Sequence, residues 1–174
     1  MPDGTNNKSP LVMILMGSDS DLPVMQGALE VLKQFDVAAD AEITSAHRTP
    51  DRTREIVKNS PASVFIVGAG SAAHLAGTVA ALTPRPVLGV PLAATTLGGL
   101  DALLSTVQMP AGIPVPTLAI GEAGARNAAL AAVAILALGD EQLAGRLDAY
   151  RRDMGAKVEA KSAKLRQALA SSSS

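Results

Sequence analysis

Short, continuous apolar runs alternate along this chain with longer segments in which apolar residues recur every three or four positions. Leu11–Met16 is apolar throughout, the pattern of a strand covered on both faces. Further strands are predicted at Val37–Thr44, Ser63–Val67, Pro86–Val90 and Pro116–Ile120. Helical spacing fills the intervals. In Val24–Phe35, the side chains of Val24, Ala28, Val31, Leu32 and Phe35 share a face, and Pro23 suits a first turn. Asp51–Asn59 follows Pro50, Ala72–Leu82 is alanine-rich, Leu97–Met109 reads as helical from about Gly99, and Ala123–Leu138 is long and apolar. A last helix is predicted from about Asp140 to Leu169, with Leu143, Leu147, Tyr150, Met154, Val158, Leu165 and Leu169 as its apolar stripe. Its other faces interleave Arg146, Arg151, Arg152, Lys157, Lys161, Lys164 and Arg166 with acids, as a solvated face does.

Strands alternating with helices predict a three-layer α/β/α sandwich around a five-stranded parallel sheet, in the order 2-1-3-4-5. Residues 10–170 form one expected domain, between disordered tails at 1–9 and 171–174. The closing helix is longer than one sheet needs, so it is expected to pack on other subunits.

The chain has 174 residues, enough for one domain with a sizeable core. Hydrophobic residues make up 48% but aromatics only 2%, so the interior must be built from Ala, Val, Leu and Ile. Part of that apolar surface is expected to be buried between subunits. The net charge of −1 argues against nucleic acid or an anionic membrane as partner. There is no cysteine, which excludes disulfides, thiolate zinc sites and a cysteine nucleophile. The polar N-terminus lacks the apolar centre of a signal peptide, and the run Ala128–Leu138 is too short to span a bilayer. A soluble, cytoplasmic protein is expected.

Three polar turns follow the first three strands, at the edge where parallel α/β sheets bind small ligands. The first, Gly17-Ser18-Asp19-Ser20-Asp21, offers hydroxyls and amides for an anion and a carboxylate suited to sugar hydroxyls, or it is an ordinary turn with Ser20 or Asp21 as helix cap. The second, Ser45-Ala46-His47-Arg48-Thr49-Pro50, sets a forked phosphate donor beside an imidazole able to move a proton near neutral pH. The third, Gly68-Ala69-Gly70-Ser71-Ala72-Ala73-His74, leaves backbone amides bare, the setting for a carboxylate or carbon dioxide; His74 is expected inside the first turns of the next helix. The rest of a dinucleotide fingerprint is missing, which argues against NAD. Two separated histidines without a paired acid make a poor metal site.

In order and spacing, Met16–Asp21, Ser45–Pro50, Gly68–Leu75, Gly89-Val90-Pro91, Leu100–Pro114 and Ala119–Leu130 resemble the PurE family, the catalytic subunit of phosphoribosylaminoimidazole carboxylase. The similarity covers roughly residues 11–150. His47-Arg48-Thr49-Pro50 resembles the bacterial branch, the N5-carboxyaminoimidazole ribonucleotide mutases; the animal-type branch usually has His-Lys-Gly-Pro there. The resemblance implies a flavodoxin-like fold in a homo-octamer, with sites near subunit boundaries. It also implies carboxylate migration from the exocyclic nitrogen to ring carbon C4 of an aminoimidazole ribonucleotide in purine biosynthesis, without metal or organic cofactor. By the same resemblance Ser20, Ser45 and Arg48 hold phosphate and Asp21 the ribose. Ser18, Ala69, Gly70, His74 and Leu75 surround the carboxylate and ring, and His47 transfers the proton.

The chain departs from the family pattern at Ser71, Ala76 and Thr78, where Gly, Pro and Met are usual, and the helix before the third strand looks about three residues short. Two other readings therefore stand beside the mutase. One is a related carboxylase or decarboxylase acting on another ring nucleotide, and the other is a non-catalytic ribonucleotide-binding homologue. A flavin-binding relative is disfavoured by the shortage of aromatic residues to stack on the cofactor.

Overall fold

A computed structural model of the chain describes residues 11–172. The tail expected at 1–9 lies outside them. These residues gather into two compact units, one ending at Ile135 and the other beginning at Leu136.

The first unit is built on four parallel strands, β1 (Val12–Met16), β2 (Ala39–Ile43), β3 (Val64–Gly70) and β4 (Val87–Leu92), ordered β2-β1-β3-β4. Every residue of β1 and β4 is buried, as continuous apolar runs require when both faces are covered. β2 lies at the sheet edge and is half-exposed. The helices of this unit are α1 (Leu22–Gln34), α2 (Pro50–Asn59), α3 (Leu75–Leu82), α4 (Leu100–Val107) and α5 (Glu122–Leu136). Strand periodicity assigns the faces. Met13, Leu15, Phe65, Val67 and Ala69 pack with Val57 of α2, Leu75, Ala76 and Val79 of α3, and Ala102 of α4. On the opposite face Gly68 meets Met25 of α1 so closely that a Cβ would stand 2.5 Å from its sulfur. α5 lies along α1, where Arg126 pairs with Glu30 at 3.1 Å over Gly27.

The sheet has four strands, not the expected five. Pro116–Ile120 does run beside β4 in fifth position, but it makes only a single parallel bridge, Thr117 to Gly89. Gly89 donates to the Pro116 carbonyl and accepts from Leu118, both at 2.9 Å. Pro116 and, two residues past Gly89, Pro91 have no N–H to give, so the ladder cannot lengthen.

β3 is longer than predicted and absorbs Gly68, Ala69 and Gly70. Ala69 and Gly70 pair with Pro91 and Leu92, so these residues belong to a ladder and are not the bare turn expected from their glycines. The chain turns at Ser71. α5 with the short turn after it, Glu122–Gly139, averages a hydropathy of 1.2 over 18 residues, long and apolar enough to cross a membrane by length and composition. This exceeds what the run Ala128–Leu138 suggested. The same helix carries charged Glu122 and Arg126 and buries Gly124, Ala125, Ala128, Ala129, Ala132 and Val133.

In the second unit, α6 (Glu141–Ser171) begins where Asp140 Oδ1 accepts the Leu143 amide at 2.9 Å, an N-terminal cap. It continues through Ser171, which the sequence assigns to a tail; Ser173 and Ser174 lie outside the described residues. Of the predicted stripe, Leu143 is buried, while Met154, Val158, Leu165 and Leu169 are exposed.

Candidate active site

Strand register brings the three polar turns to one edge. Met16 pairs with Ile43 and with Gly68, so β1 and β2 end together while β3 runs two residues further. Gly17, Thr44 and Ser71 therefore start their turns beside one another. All ten residues singled out from sequence line one cavity of about 350 Å³: His47, Ser18, Ser20, Asp21, Ser45, Arg48, Ala69, Gly70, His74 and Leu75.

The first turn is a short 3-10 segment, Asp19–Asp21, organised by Ser18. The Ser18 amide donates to Asp21 Oδ2 at 3.0 Å, and Ser18 Oγ accepts from the Ser20 amide at 3.3 Å and from Ser20 Oγ at 3.0 Å. Ser18 thus caps the 3-10 segment, while Asp21, one of the two residues expected as helix cap, stands at the N-cap position of α1 without a side-chain capping bond. Burial pushes the Asp21 carboxyl above the ordinary aspartate value; the Ser18 and Gly17 amides pull it down, and the charge of Asp19 pushes it up further.

In the second turn the Arg48 amide donates to Ser45 Oγ at 3.2 Å and its Nε does so at 3.4 Å. Arg48 Nη2 reaches the Gly17 carbonyl at 2.9 Å and ties the second turn to the first. Pro50 then starts α2 as the first-turn proline that the sequence suggested. Below, the buried Thr44 hydroxyl bonds Thr53 at 2.8 Å and anchors the turn to α2.

The second and third turns meet through their imidazoles. His47 Nε2 lies 2.7 Å from His74 Nδ1, with the rings edge to face. One of these nitrogens must accept, so the pair shares a proton between rings. His74 is the N-cap of α3 and not a residue of its first turns, and its carbonyl accepts from the Thr78 amide and hydroxyl. Ser105 of α4 braces this turn: its Oγ accepts from the Ala73 amide at 3.0 Å.

Thr44, Ala46, Ser71, Ala72, Ala73 and Ala94 also line the cavity. Small uncharged residues give little chemical signal in a sequence, although Ser71 stands out there as a departure from the family pattern. Ala94 is drawn in because β4 extends to Leu92 and leaves no room for a side chain at Gly70. The segment Leu100–Pro114 contributes support through Ser105 and supplies no cavity wall.

The cavity thus gathers a forked cation, several hydroxyls, a partly buried carboxylate and an imidazole pair in one wall. Residues 11–157 match the AIR carboxylase family. The chain belongs to the AIR carboxylase family. Among its relatives in that family, a Brucella melitensis protein named N5-carboxyaminoimidazole ribonucleotide mutase is 57% identical over 81% of this chain and 89% of its own length. One of the same name from Methanocaldococcus jannaschii is 52% identical over 90% of this chain and 98% of its own. The AIR carboxylase fold is also seen in the crystal structure of Treponema denticola PurE, which superposes with a TM-score of 0.81 at 29% identity, covering 90% of this chain and 98% of that one.

Proposed function

We propose that this chain is an N5-carboxyaminoimidazole ribonucleotide mutase of purine biosynthesis, converting that substrate to 4-carboxy-5-aminoimidazole ribonucleotide. The observation that carries the reading is the joining of His47 and Arg48, consecutive in sequence, to the first and third turns around one cavity. Ser20, Ser45 and Arg48 hold the phosphate, matching a forked guanidinium and hydroxyls to its oxygens. Asp21 holds the ribose hydroxyls. Ser18, Ala69, Gly70, His74 and Leu75 enclose the carboxylate and the ring.

In the reaction the bond from the exocyclic nitrogen to the carboxyl carbon breaks, and its electron pair stays with the aminoimidazole. Carbon dioxide is retained in the cavity. Ring carbon C4 attacks it, forming the new carbon–carbon bond, and C4 then carries both hydrogen and carboxylate. His47 takes the C4 proton and aromaticity returns, while a proton is restored to the exocyclic amine. Placement and exclusion of water supply much of the rate. The reaction is redox-neutral and needs no metal, organic cofactor or ATP.

In this reading the protein works in the cytoplasm as a homo-octamer of single-domain subunits, residues 10–170, without nucleic acid or membrane as partner. The exposed residues Met154, Val158, Leu165 and Leu169 of α6 support packing of that helix on other subunits. Purified protein should interconvert the two carboxylated isomers without ATP, and His47→Asn should abolish turnover. Normal turnover in that variant removes His47 from the mechanism. Turnover of a different ring nucleotide alone favours the related carboxylase, and tight binding without isomerisation favours the non-catalytic homologue.

A further inference from the structure

Ser71 combines two features found together at no other cavity serine. Its backbone is left-handed, with φ at +55°, a conformation that residues with a side chain rarely adopt. Its hydroxyl also makes no hydrogen bond among the described residues. Of the other hydroxyls on the cavity wall, Ser20 donates to Ser18, Ser18 donates to Asp19, Thr44 pairs with Thr53, and Ser45 accepts from Arg48. The turn is also held in place. The Ser71 carbonyl accepts from the Ala73 amide at 2.9 Å and from Ser105 Oγ at 3.4 Å. An uncommitted donor is thus carried on a braced, strained residue three positions before His74, in the wall of the same cavity as Arg48. Strained backbone of this kind gathers where a side chain must be aimed at a ligand.

We propose that Ser71 is a specificity-determining residue whose hydroxyl donates to the carboxylate of the bound ribonucleotide and so distinguishes carboxylated from decarboxylated ligand. The inference rests on the mutase reading, since it takes the carboxylate to lie on the third turn and the phosphate on the second.

The test compares the parent with Ser71→Ala and Ser71→Gly by calorimetric titration. The probes are 4-carboxy-5-aminoimidazole ribonucleotide and the same ribonucleotide without its carboxylate. Both substitutions remove the hydroxyl, and glycine also relaxes the left-handed backbone. Loss of one hydrogen bond to a charged group weakens binding of the carboxylated ligand roughly tenfold. Affinity for the decarboxylated ligand is expected to stay unchanged in both variants, with a parallel rise in KM for the carboxylated isomer. Unchanged binding of both ligands, equal weakening of both, or an effect in the glycine variant alone overturns the proposal. Parent turnover is assayed separately. A parent that binds both ligands but isomerises neither defeats the mutase reading, while the binding ratio still decides the role of Ser71.

Discussion

His47 and His74 lie 27 residues apart and share a 2.7 Å hydrogen bond between Nε2 and Nδ1. The bond links two elements anchored independently. His47 sits in a turn pinned by Ser45, Thr49 and Arg48, and His74 caps α3 in a turn pinned by Ser105. Removing His74 therefore leaves His47 in place and costs the partner that selects its tautomer together with one piece of the cavity wall. His74→Asn is expected to lower kcat by about tenfold or less, against roughly a thousandfold or more for His47→Asn, the scale of a lost general acid–base group. Initial rates on the carboxylated ribonucleotide check the ranking; equal losses would make the two rings a single catalytic unit.

Arg48 bonds the Gly17 carbonyl through one guanidinium nitrogen and Ser45 through another. Lysine carries the charge but lacks the fork, so it cannot keep both turns together and also hold the phosphate that the proposed function assigns to Arg48. Arg48→Lys is expected to raise KM by about ten- to a hundredfold with a much smaller change in kcat, measured under saturating and limiting substrate. A kcat loss at unchanged KM would assign Arg48 to the chemical step.

Much of this arrangement is legible in the sequence, for reasons particular to its residues. The unbroken apolar run Val12–Met16 marks a covered strand, and turns rich in hydroxyls, carboxylates and imidazoles follow it and the next two predicted strands, whereas the ten individual positions are assigned by resemblance to the family. The errors have equally local causes. Gly68 and Gly70 look like turn glycines because glycine permits turns, yet they are strand residues, kept small by Met25 and Ala94. The fifth strand fails because hydrophobicity marks Pro116–Ile120 as a strand while its proline withholds a ladder donor. The left-handed Ser71 follows no local rule, since serine has no preference for positive φ.

Asp21 predicts a pH dependence of stability. Burial raises its folded-state pKa above the ordinary value of 3.8. The fold then holds that proton more firmly than the unfolded chain does. The associated stability is complete below the unfolded value and is lost as pH rises through the raised one. Asp21→Asn removes this dependence, and its amide oxygen can still accept the Ser18 amide. Its Tm relative to the parent should therefore rise as the pH is taken from about 4 to about 6. A relative fall over that interval would mean that the carboxylate is stabilised by its amide donors more than it is penalised by burial.

Arg85 ties together the far end of the sheet. Its guanidinium donates to the carbonyls of Val57, Ser60 and Ala62 at 2.7, 2.7 and 2.6 Å, and stands 4.8 Å from the centre of the Phe65 ring. Val57 and Ser60 lie at the C-terminal end of α2, where helix carbonyls have no partner of their own. The connector 59–61 can therefore be short because an arginine from before β4 satisfies it. Arg85→Ala leaves these carbonyls unpaired and should cost about 3 kcal/mol, a Tm drop of roughly 6–12 °C for a chain this size. Thermal unfolding measures the loss. Activity at low temperature should be retained, because none of these groups lines the candidate active site.

The last prediction separates two glycines by what surrounds them. A Cβ on Gly68 would press on Met25 Sδ and Cε, the far end of an unbranched side chain that can change rotamer. A Cβ on Gly124 would run into the backbone carbonyl of Ala119, which cannot move without shifting the loop that leads into α5. Alanine is a better helix former than glycine by about 1 kcal/mol, which ought to favour the change at Gly124 if propensity decided the outcome. Steric conflict with backbone outweighs that gain. Gly68→Ala should cost about 1–3 kcal/mol, the range for an overpacked core, and Gly124→Ala should cost more. Chemical denaturation of both variants reads the order directly. A more stable Gly124→Ala protein would mean that the Ala119 carbonyl yields and that α5 is not seated as tightly as the structure places it.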